Sequence, residues 1–174
     1  MSVSPHSHRM IKAVASLLFV LTVIFMQSCG KREMPVYSQF VNVNPDGWEA
    51  GEYLIYNLSD GDSTFLRSNS NRYDVIMTVR HTTDYPYNNL WLVIDRTSGP
   101  ELISSSKTEL RLAEHGGSWR GKGIQGIYEF SDTVFRGIPL SSDEVISVRH
   151  DMPVSSLPGV LDLGMTVINS TKKQ

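Results

Sequence analysis

Alternation of apolar and polar residues is the feature of this sequence that most restricts its fold. Between residues 73 and 80 the apolar side chains occupy every second position, at Tyr73, Val75, Met77 and Val79. The positions between them include Asp74 and Arg80. Side chains two residues apart share one face of a β-strand, whereas a helix would distribute them around its axis. The segment is therefore predicted to be a strand with one buried face.

The same spacing, or a short apolar run, recurs along the chain. The predicted strands are 36–43, 53–58, 73–80, 89–95, 125–130, 133–138, 144–150 and 160–168. Segments rich in Gly, Pro, Asn and Asp separate them, as at 44–47 and 97–100, and such residues favour turns. Short strands at this spacing predict a mainly β protein, with an antiparallel β-sandwich or jelly-roll-like fold in a single domain.

The segment 106–115 fits two structures. Ser106 and Glu109 have the spacing of a capping box at the start of a helix. Leu110 and Leu112, however, alternate with polar residues as in a strand. We favour the strand.

The first 28 residues have the composition of an export signal. Basic residues including Arg9 and Lys12 precede an apolar run at 13–26, and no acidic residue occurs before Cys29. The run is shorter than the roughly 20 residues that a membrane-spanning helix needs. We therefore expect export followed by cleavage rather than a permanent transmembrane helix.

The apolar run ends at Ser28-Cys29, which resembles the bacterial lipobox. In a lipobox the cysteine thiol is diacylated, and the cysteine becomes the new N-terminus. The alternative is a buried free thiol, the usual state of a lone cysteine, but here it would lie at the end of an export signal. We predict a lipoprotein signal peptide at 1–28, a lipidated tether at 29–35 with Cys29 as the lipid attachment site, and a β-sandwich domain at 36–170.

Composition excludes several classes of protein. The 174 residues include 16 Lys plus Arg and 18 Asp plus Glu, for a net charge of −2, and no run of about five or more basic residues occurs. Such a chain has no general attraction for a phosphate backbone, so we expect no nucleic-acid partner. The single cysteine rules out an internal disulfide and a zinc site built on cysteines, since each needs at least two thiols.

No catalytic or cofactor-binding motif is convincing. The string from Gly116 to Gly123 approaches a phosphate-binding loop, but that loop needs Ser or Thr after Lys122 and then a helix. A glycine-rich turn between strands, with Trp119 packed near it, fits better, and we expect no nucleotide. His81, His115 and His150 are too widely spaced for a metal-binding motif. We predict no catalytic residue, no metal site and no cofactor.

Aromatic residues cluster around one predicted turn, Tyr85-Pro86-Tyr87-Asn88-Asn89-Leu90-Trp91. They would either form a surface for a partner protein or a glycan, or close one end of the sandwich. The candidate partner surface consists of Tyr85, Tyr87, Asn89, Trp91 and Trp119.

Several strings together resemble one family. Besides Ser28-Cys29 they are the turn Tyr85 to Trp91, the string Gly117-Ser118-Trp119-Arg120-Gly121-Lys122-Gly123, and Leu157-Pro158-Gly159 with its neighbours. In this order they resemble the gliding-motility lipoprotein GldH family of Bacteroidetes, over nearly the whole mature chain. The resemblance implies an envelope lipoprotein that gliding members need for movement over surfaces and for the associated secretion and adhesin machinery. It implies no enzyme and no catalytic residues.

This resemblance sets the expected function. We expect a non-enzymatic binding or assembly component, attached to the membrane through its N-terminal lipid and to envelope proteins of the motility and secretion apparatus. No acidic run follows Cys29, which favours the outer membrane facing the periplasm, with the cell surface as the alternative. A glycan-binding or carbohydrate-acting lipoprotein is the competing hypothesis, and a hydrolase on a sandwich scaffold is a third.

Overall fold

β-Strands make up almost all the regular structure of the chain. The structure is a computed structural model that describes residues 34–61 and 72–170. The predicted signal peptide and Cys29 lie outside these residues. The strands are β1 (Tyr37–Asn42), β2 (Trp48–Glu49), β3 (Leu54–Asn57), β4 (Tyr73–Thr82), β5 (Asn89–Ser98), β6 (Glu101–Arg111), β7 (Lys122–Ile124), β8 (Ile127–Ile138), β9 (Glu144–His150), β10 (Ser156–Leu157) and β11 (Val160–Asn169). A 3₁₀ turn, Leu58–Asp60, follows β3.

The strands form two large antiparallel sheets. The first sheet has the order β1-β11-β4-β8-β7, and the second has the order β3-β9-β5-β6. The short strands β2 and β10 pair with each other. Within the residues described, the only helical element is the 3₁₀ turn. The predicted antiparallel β-sandwich in one domain is thus confirmed.

The inner faces of the two sheets form the core. In β4 the buried positions include Tyr73, Val75, Met77 and Val79, as the alternation predicted. β5 contributes Leu90, Leu92 and Ile94 from the facing sheet. Burying each such side chain fully contributes about 1.5–3 kcal/mol. The hydroxyl of Tyr56 crosses the core and donates a hydrogen bond to the carbonyl oxygen of Leu163 at 2.7 Å.

The strands β2, β7 and β10 were not predicted, and the boundaries of the predicted strands differ most in two places. The predicted strands 125–130 and 133–138 are one continuous strand, β8, whose pairing with β4 contains two register shifts. The polar residues Ser131 and Asp132 interrupt the apolar pattern between the two predicted strands, although their pairing with β4 is regular. The predicted strand 106–115 is β6, which begins earlier, at Glu101. The early part of β6 carries Ser104 and Ser106 where apolar residues would have signalled a strand.

The loops lie at two opposite ends of the sandwich. At the N-terminal end β1 begins, β11 ends, and β5 turns into β6 at Gly99 and Pro100. The 3₁₀ turn also lies at this end, because Gly61 after it packs against Val36 and Tyr37. The far end consists of the loops 83–88, 112–121 and 151–159 and the turn 125–126.

A buried ion pair closes the N-terminal end. Arg96 and Glu144 lie in contact across β5 and β9, with Nη2 and Nε of the guanidinium 2.7 and 3.0 Å from Oε2. Nη2 also donates to the carbonyl oxygen of Pro139 at 2.8 Å, and Oε1 accepts from the amide of Ser141 at 2.9 Å. The pair therefore fixes the 139–143 loop over the end of the core.

We predict that Arg96→Ala lowers the free energy of unfolding by about 3–5 kcal/mol, because it leaves a buried carboxylate without its partner. The matched control is Arg111→Ala, which removes an exposed guanidinium 3.5 Å from Glu109 and should cost about 1 kcal/mol or less. Urea unfolding of the Cys29→Ala chain gives both values. Equal losses for the two variants would contradict the role given to the buried pair.

Candidate functional site

Four aromatic rings from different elements meet at the far end. The His81 cluster consists of His81 at the end of β4, Tyr85 in the following loop, Trp119 in the 112–121 loop and Tyr128 in β8. The His81 ring centroid lies 4.5 Å from that of Trp119, 5.5 Å from Tyr85 and 5.7 Å from Tyr128. Aromatic pairs at these distances attract one another. The cluster therefore joins two loops to the first sheet.

Glycines allow the 112–121 loop and β7 to lie close to β8. Gly121 has φ +85°, and a Cβ atom there would lie 2.0 Å from the carbonyl oxygen of Glu129. A Cβ atom at Gly123 would lie 2.6 Å from the ring of Tyr128. Close packing against β8 thus explains Gly121 and Gly123. The residues that follow form β7 rather than a helix, so this string lacks the helix N-terminus of a phosphate-binding loop.

His81 is held neutral inside the cluster. Its Nδ1 lies 3.0 Å from the carbonyl oxygen of Thr82, so we assign the proton to Nδ1. Nε2 has no hydrogen-bond partner within the described residues. Burial lowers the pKa of this imidazole, and the contact with Thr82 only partly opposes the effect. The histidine packs as an aromatic ring among Tyr85, Trp119 and Tyr128.

His150 is a second buried histidine and also has a structural role. Its Nε2 lies 3.0 Å from the carbonyl oxygen of Trp48, and its Nδ1 accepts from the amide of Met152 at 3.3 Å. Burial lowers its pKa; the Trp48 carbonyl and the charges of Asp151 and Glu49 oppose the shift, and Arg149 adds to it. His115, by contrast, is exposed in the 112–121 loop.

We predict that the protein loses stability in mild acid through His81 and His150. Because their pKa values are lower in the folded state, the unfolded chain binds protons first as the pH falls below about 6.5. Each histidine then removes up to about 1.4 kcal/mol of unfolding free energy per pH unit. Denaturant unfolding at a series of pH values should show a shallower dependence for His81→Phe than for the parent.

His115→Phe is the matched control for this measurement, since it makes the same change at an exposed position. It should leave the pH dependence of the parent. An unchanged slope in His81→Phe would show that the folded protein does not hold His81 neutral.

The predicted partner residues are divided between the core and the surface. Tyr85 is only 2% exposed, so the expectation that it forms part of a surface is wrong. Its ring fills the space beside His81, and its hydroxyl donates to the carbonyl oxygen of Asn89 at 2.7 Å. Burial raises the pKa of this phenol. Tyr85 therefore supports the surface from below, which is the end-closing role considered as the alternative.

The other predicted residues remain partly exposed. Tyr87 packs edge-on against Tyr85, with centroids 6.0 Å apart. Asn89 donates from Nδ2 to Glu109 Oε1 at 2.6 Å. Trp91 lies farther along β5, and the ammonium of Lys107 is 5.0 Å from its ring centroid.

An open groove of about 770 Å³ lies beside Tyr87. It is lined by Pro86, Tyr87, Asn88, Asn89, Glu109, Arg111, Ala113, Glu114, His115 and Arg120. The charges are paired: Arg120 Nε lies 3.1 Å from Glu114 Oε1, and Arg111 Nε lies 3.5 Å from Glu109 Oε2. The groove therefore offers polar contacts without a net charge.

The sequence analysis did not predict the apolar tip of the hairpin beside the cluster. Ile124 and Ile127 flank the turn of Gln125 and Gly126, and their side chains are 75% and 42% exposed. The signal was available, since a two-residue turn ending in Gly between two apolar residues favours a hairpin. The far end thus presents both an aromatic rim and an exposed apolar pair.

Neither a metal-binding group nor a membrane-spanning helix occurs in the parts of the chain that the structure describes. Residues 34–61 and 72–170 contain no group of three or more His, Cys, Asp or Glu side chains placed to hold a metal ion. No helix in those same ranges is long and apolar enough to cross a membrane.

Comparison with known proteins identifies the family. The model of the family described as GldH lipoprotein matches residues 35–167. The fold and this match together define a β-sandwich of a lipoprotein family. The chain belongs to the GldH lipoprotein family.

Two curated relatives are similar along most of their length. The gliding motility lipoprotein GldH homolog of Christiangramia forsetii is 26% identical over 167 residues, covering 91% of this chain and 97% of the relative. The gliding motility lipoprotein GldH of Flavobacterium johnsoniae is 23% identical over 157 residues, covering 86% and 93%. Neither name states an enzymatic activity.

Solved structures are only distantly similar. The coat protein of Tobacco streak virus matches with a TM-score of 0.30 and 9% identity, covering 83% of this chain and 93% of the coat protein. A mitogen from Yersinia pseudotuberculosis gives a TM-score of 0.27 and 10% identity, with 81% and 91% covered. Similarity this weak carries no information about function.

Proposed function

We propose that the protein is a lipid-anchored, non-enzymatic component of the gliding-motility and associated secretion machinery of the cell envelope. The observation that carries this proposal is the family match over residues 35–167, supported by relatives that are named gliding motility lipoproteins. The domain acts by binding and assembly, holding envelope proteins through its surface.

The structural role of the buried histidines supports a non-enzymatic domain. His81 and His150 are enclosed by aromatic rings and backbone groups rather than aimed into a cleft. The charges around the groove beside Tyr87 are engaged in ion pairs. A catalytic acid or base needs access to substrate and a pKa matched to its task.

Lipid on Cys29 is the proposed attachment to the membrane. A single acyl chain holds a protein only marginally, whereas two or more give stable anchoring, at about 0.8 kcal/mol for each buried CH₂. We place the anchor in the outer membrane with the domain in the periplasm, because Lys31 and Arg32 rather than acidic residues follow Cys29.

We predict that an alkyne-tagged fatty acid labels the protein in its native host and that Cys29→Ala abolishes the label. The substituted chain should still be made, because the core of the domain consists of residues between Val36 and Val167. Label on the purified protein is read by in-gel fluorescence. Equal labelling of both proteins would refute the anchor.

The partner surface is proposed at the far end. Four of the predicted residues are partly exposed there, namely Tyr87, Asn89, Trp91 and Trp119. Ile124, in the neighbouring hairpin, is 75% exposed. Partner surfaces are enriched in aromatic residues with apolar centres. These side chains lie at the end of the sandwich where the His81 cluster joins two loops to the first sheet.

We predict that a photo-crosslinking amino acid at Tyr87 or Ile124 captures envelope proteins in cells. The matched control is Ser131, which is exposed on the outer face of the first sheet. Captured species are identified by mass spectrometry, and Cys29→Ala should abolish capture. Equal capture from all three positions would contradict a partner surface at the far end.

The competing proposal is a glycan-binding lipoprotein, and the groove beside Tyr87 is the observation in its favour. Sugars stack on open aromatic faces, but Lys107 already lies over the ring of Trp91. Capture of glycan alone at Tyr87, with no protein at either position, would favour this alternative over the assembly role.

A further inference from the structure

The N-terminal end of the sandwich carries an exposed apolar pair of its own. Leu102 and Ile103 lie just after the β5–β6 turn and are 59% and 43% exposed. The pairing of β5 with β6 shifts register here, because Arg96 pairs with Ser104 while Thr97 pairs with Leu102. This bulge places an extra residue in β6 and leaves both apolar side chains outside the core.

The chain enters the domain at the same end. Val36 and Tyr37 lie against Gly61, which follows β3 and the 3₁₀ turn. β3 ends at Asn57, opposite Val145, and Val145 pairs with Thr97 next to the bulge. β3 and β6 are three strand spacings apart in the second sheet, which is about 14 Å.

Chain length limits how far this end can be from the membrane. Six residues lie between Cys29 and Val36, and the seven steps from one Cα atom to the next span at most about 25 Å when fully extended. The ten residues of β4, which run from the N-terminal end to the far end, are about 33 Å long. The tether is therefore shorter than the domain that it holds.

We propose that Leu102 and Ile103 rest on the bilayer to which Cys29 is attached, so that the domain stands on its N-terminal end. The inference rests on the proposed lipidation of Cys29. The occupant of this apolar pair is the lipid surface itself, because the tether keeps the bilayer within reach of the β5–β6 turn. The far end is then held away from the membrane, where a periplasmic protein can reach it.

The charges at the N-terminal end do not select a charged lipid. The acids Glu101, Asp60 and Asp143 are exposed there, and so are the bases Arg72 and Arg136. Hydrogen bonds from Ser141 and Ser98 lower the pKa of Asp143, which keeps it ionised. These opposite charges offset one another, so the apolar pair carries the contact with the bilayer.

The opposite apolar pair provides the internal comparison. Ile124 and Ile127 are at least as exposed as Leu102 and Ile103 on average, so apolar character alone cannot separate them. Ile127 pairs with Thr82 at the last position of β4, which places the hairpin tip at the far end. The two pairs differ in their position relative to the tether, which joins the domain at the end that carries Leu102 and Ile103.

The test uses lipidated full-length protein in phosphatidylcholine vesicles. Because Cys29 is acylated, Ile103→Cys and Ile124→Cys each supply a single free thiol for an environment-sensitive fluorophore. The same vesicles are prepared with and without nitroxide-labelled lipid, which quenches only nearby fluorophores. We expect loss of most of the fluorescence at position 103 and little loss at position 124.

Flotation of the vesicles separates this inference from the proposal on which it rests. Protein that fails to float with the vesicles refutes the lipid anchor. Protein that floats but is quenched equally at both positions, at neither, or mainly at 124 overturns the orientation alone. Leu102→Asp in the Ile103→Cys protein should restore the fluorescence at 103 while flotation is retained, and quenching that persists would also overturn the contact.

Discussion

Burial of one face of each sheet is the constraint on which the rest of the structure depends. The two inner faces exclude water from side chains such as Met77, Ile94 and Leu163, and a polar group that enters this space is stabilised by a hydrogen-bond partner. Tyr56 satisfies its hydroxyl on the backbone of the opposite sheet. Packing of the two sheets leaves the two ends of the sandwich open. A different set of side-chain interactions closes each end of this domain.

The N-terminal end is closed by charge and the far end by aromatic packing. Arg96 and Glu144 neutralise each other under the 139–143 loop, where a missing partner would be costly. At the far end, His81 packs among aromatic rings, and Trp119 completes the contact from a loop. The aromatic packing around His81 leaves the neighbouring loops ordered and partly exposed, which is the arrangement that a binding surface needs.

The sequence predicted the elements whose burial follows a simple period. The β4 alternation and the single β domain both appear in the structure because one face of each strand is buried. The register shifts in β8 and the serines of β6 were not predictable, since they depend on which strand lies alongside. The burial of Tyr85 could not be predicted either, because its ring is covered by residues distant in the chain.

The inference of function depends less on the fold than on the family and the proposed anchor. A β-sandwich serves many purposes; in the described part of this one, His81 and His150 are buried and the charges of the groove are paired. Close packing against β8 explains Gly121 and Gly123 at the far end. Under the proposed lipidation of Cys29, the short tether gives the domain a direction, with its aromatic end available to other envelope proteins.

The most direct test of this account is the movement of native host cells over a surface, measured together with the proteins that they secrete. The chromosomal gene is deleted or replaced by Cys29→Ala or Ile124→Asp, and immunoblots verify that both variant proteins accumulate. The account predicts that deletion and both substitutions impair movement and secretion, because one removes the anchor and the other disrupts the far end. Normal movement and secretion in the deletion strain would contradict it.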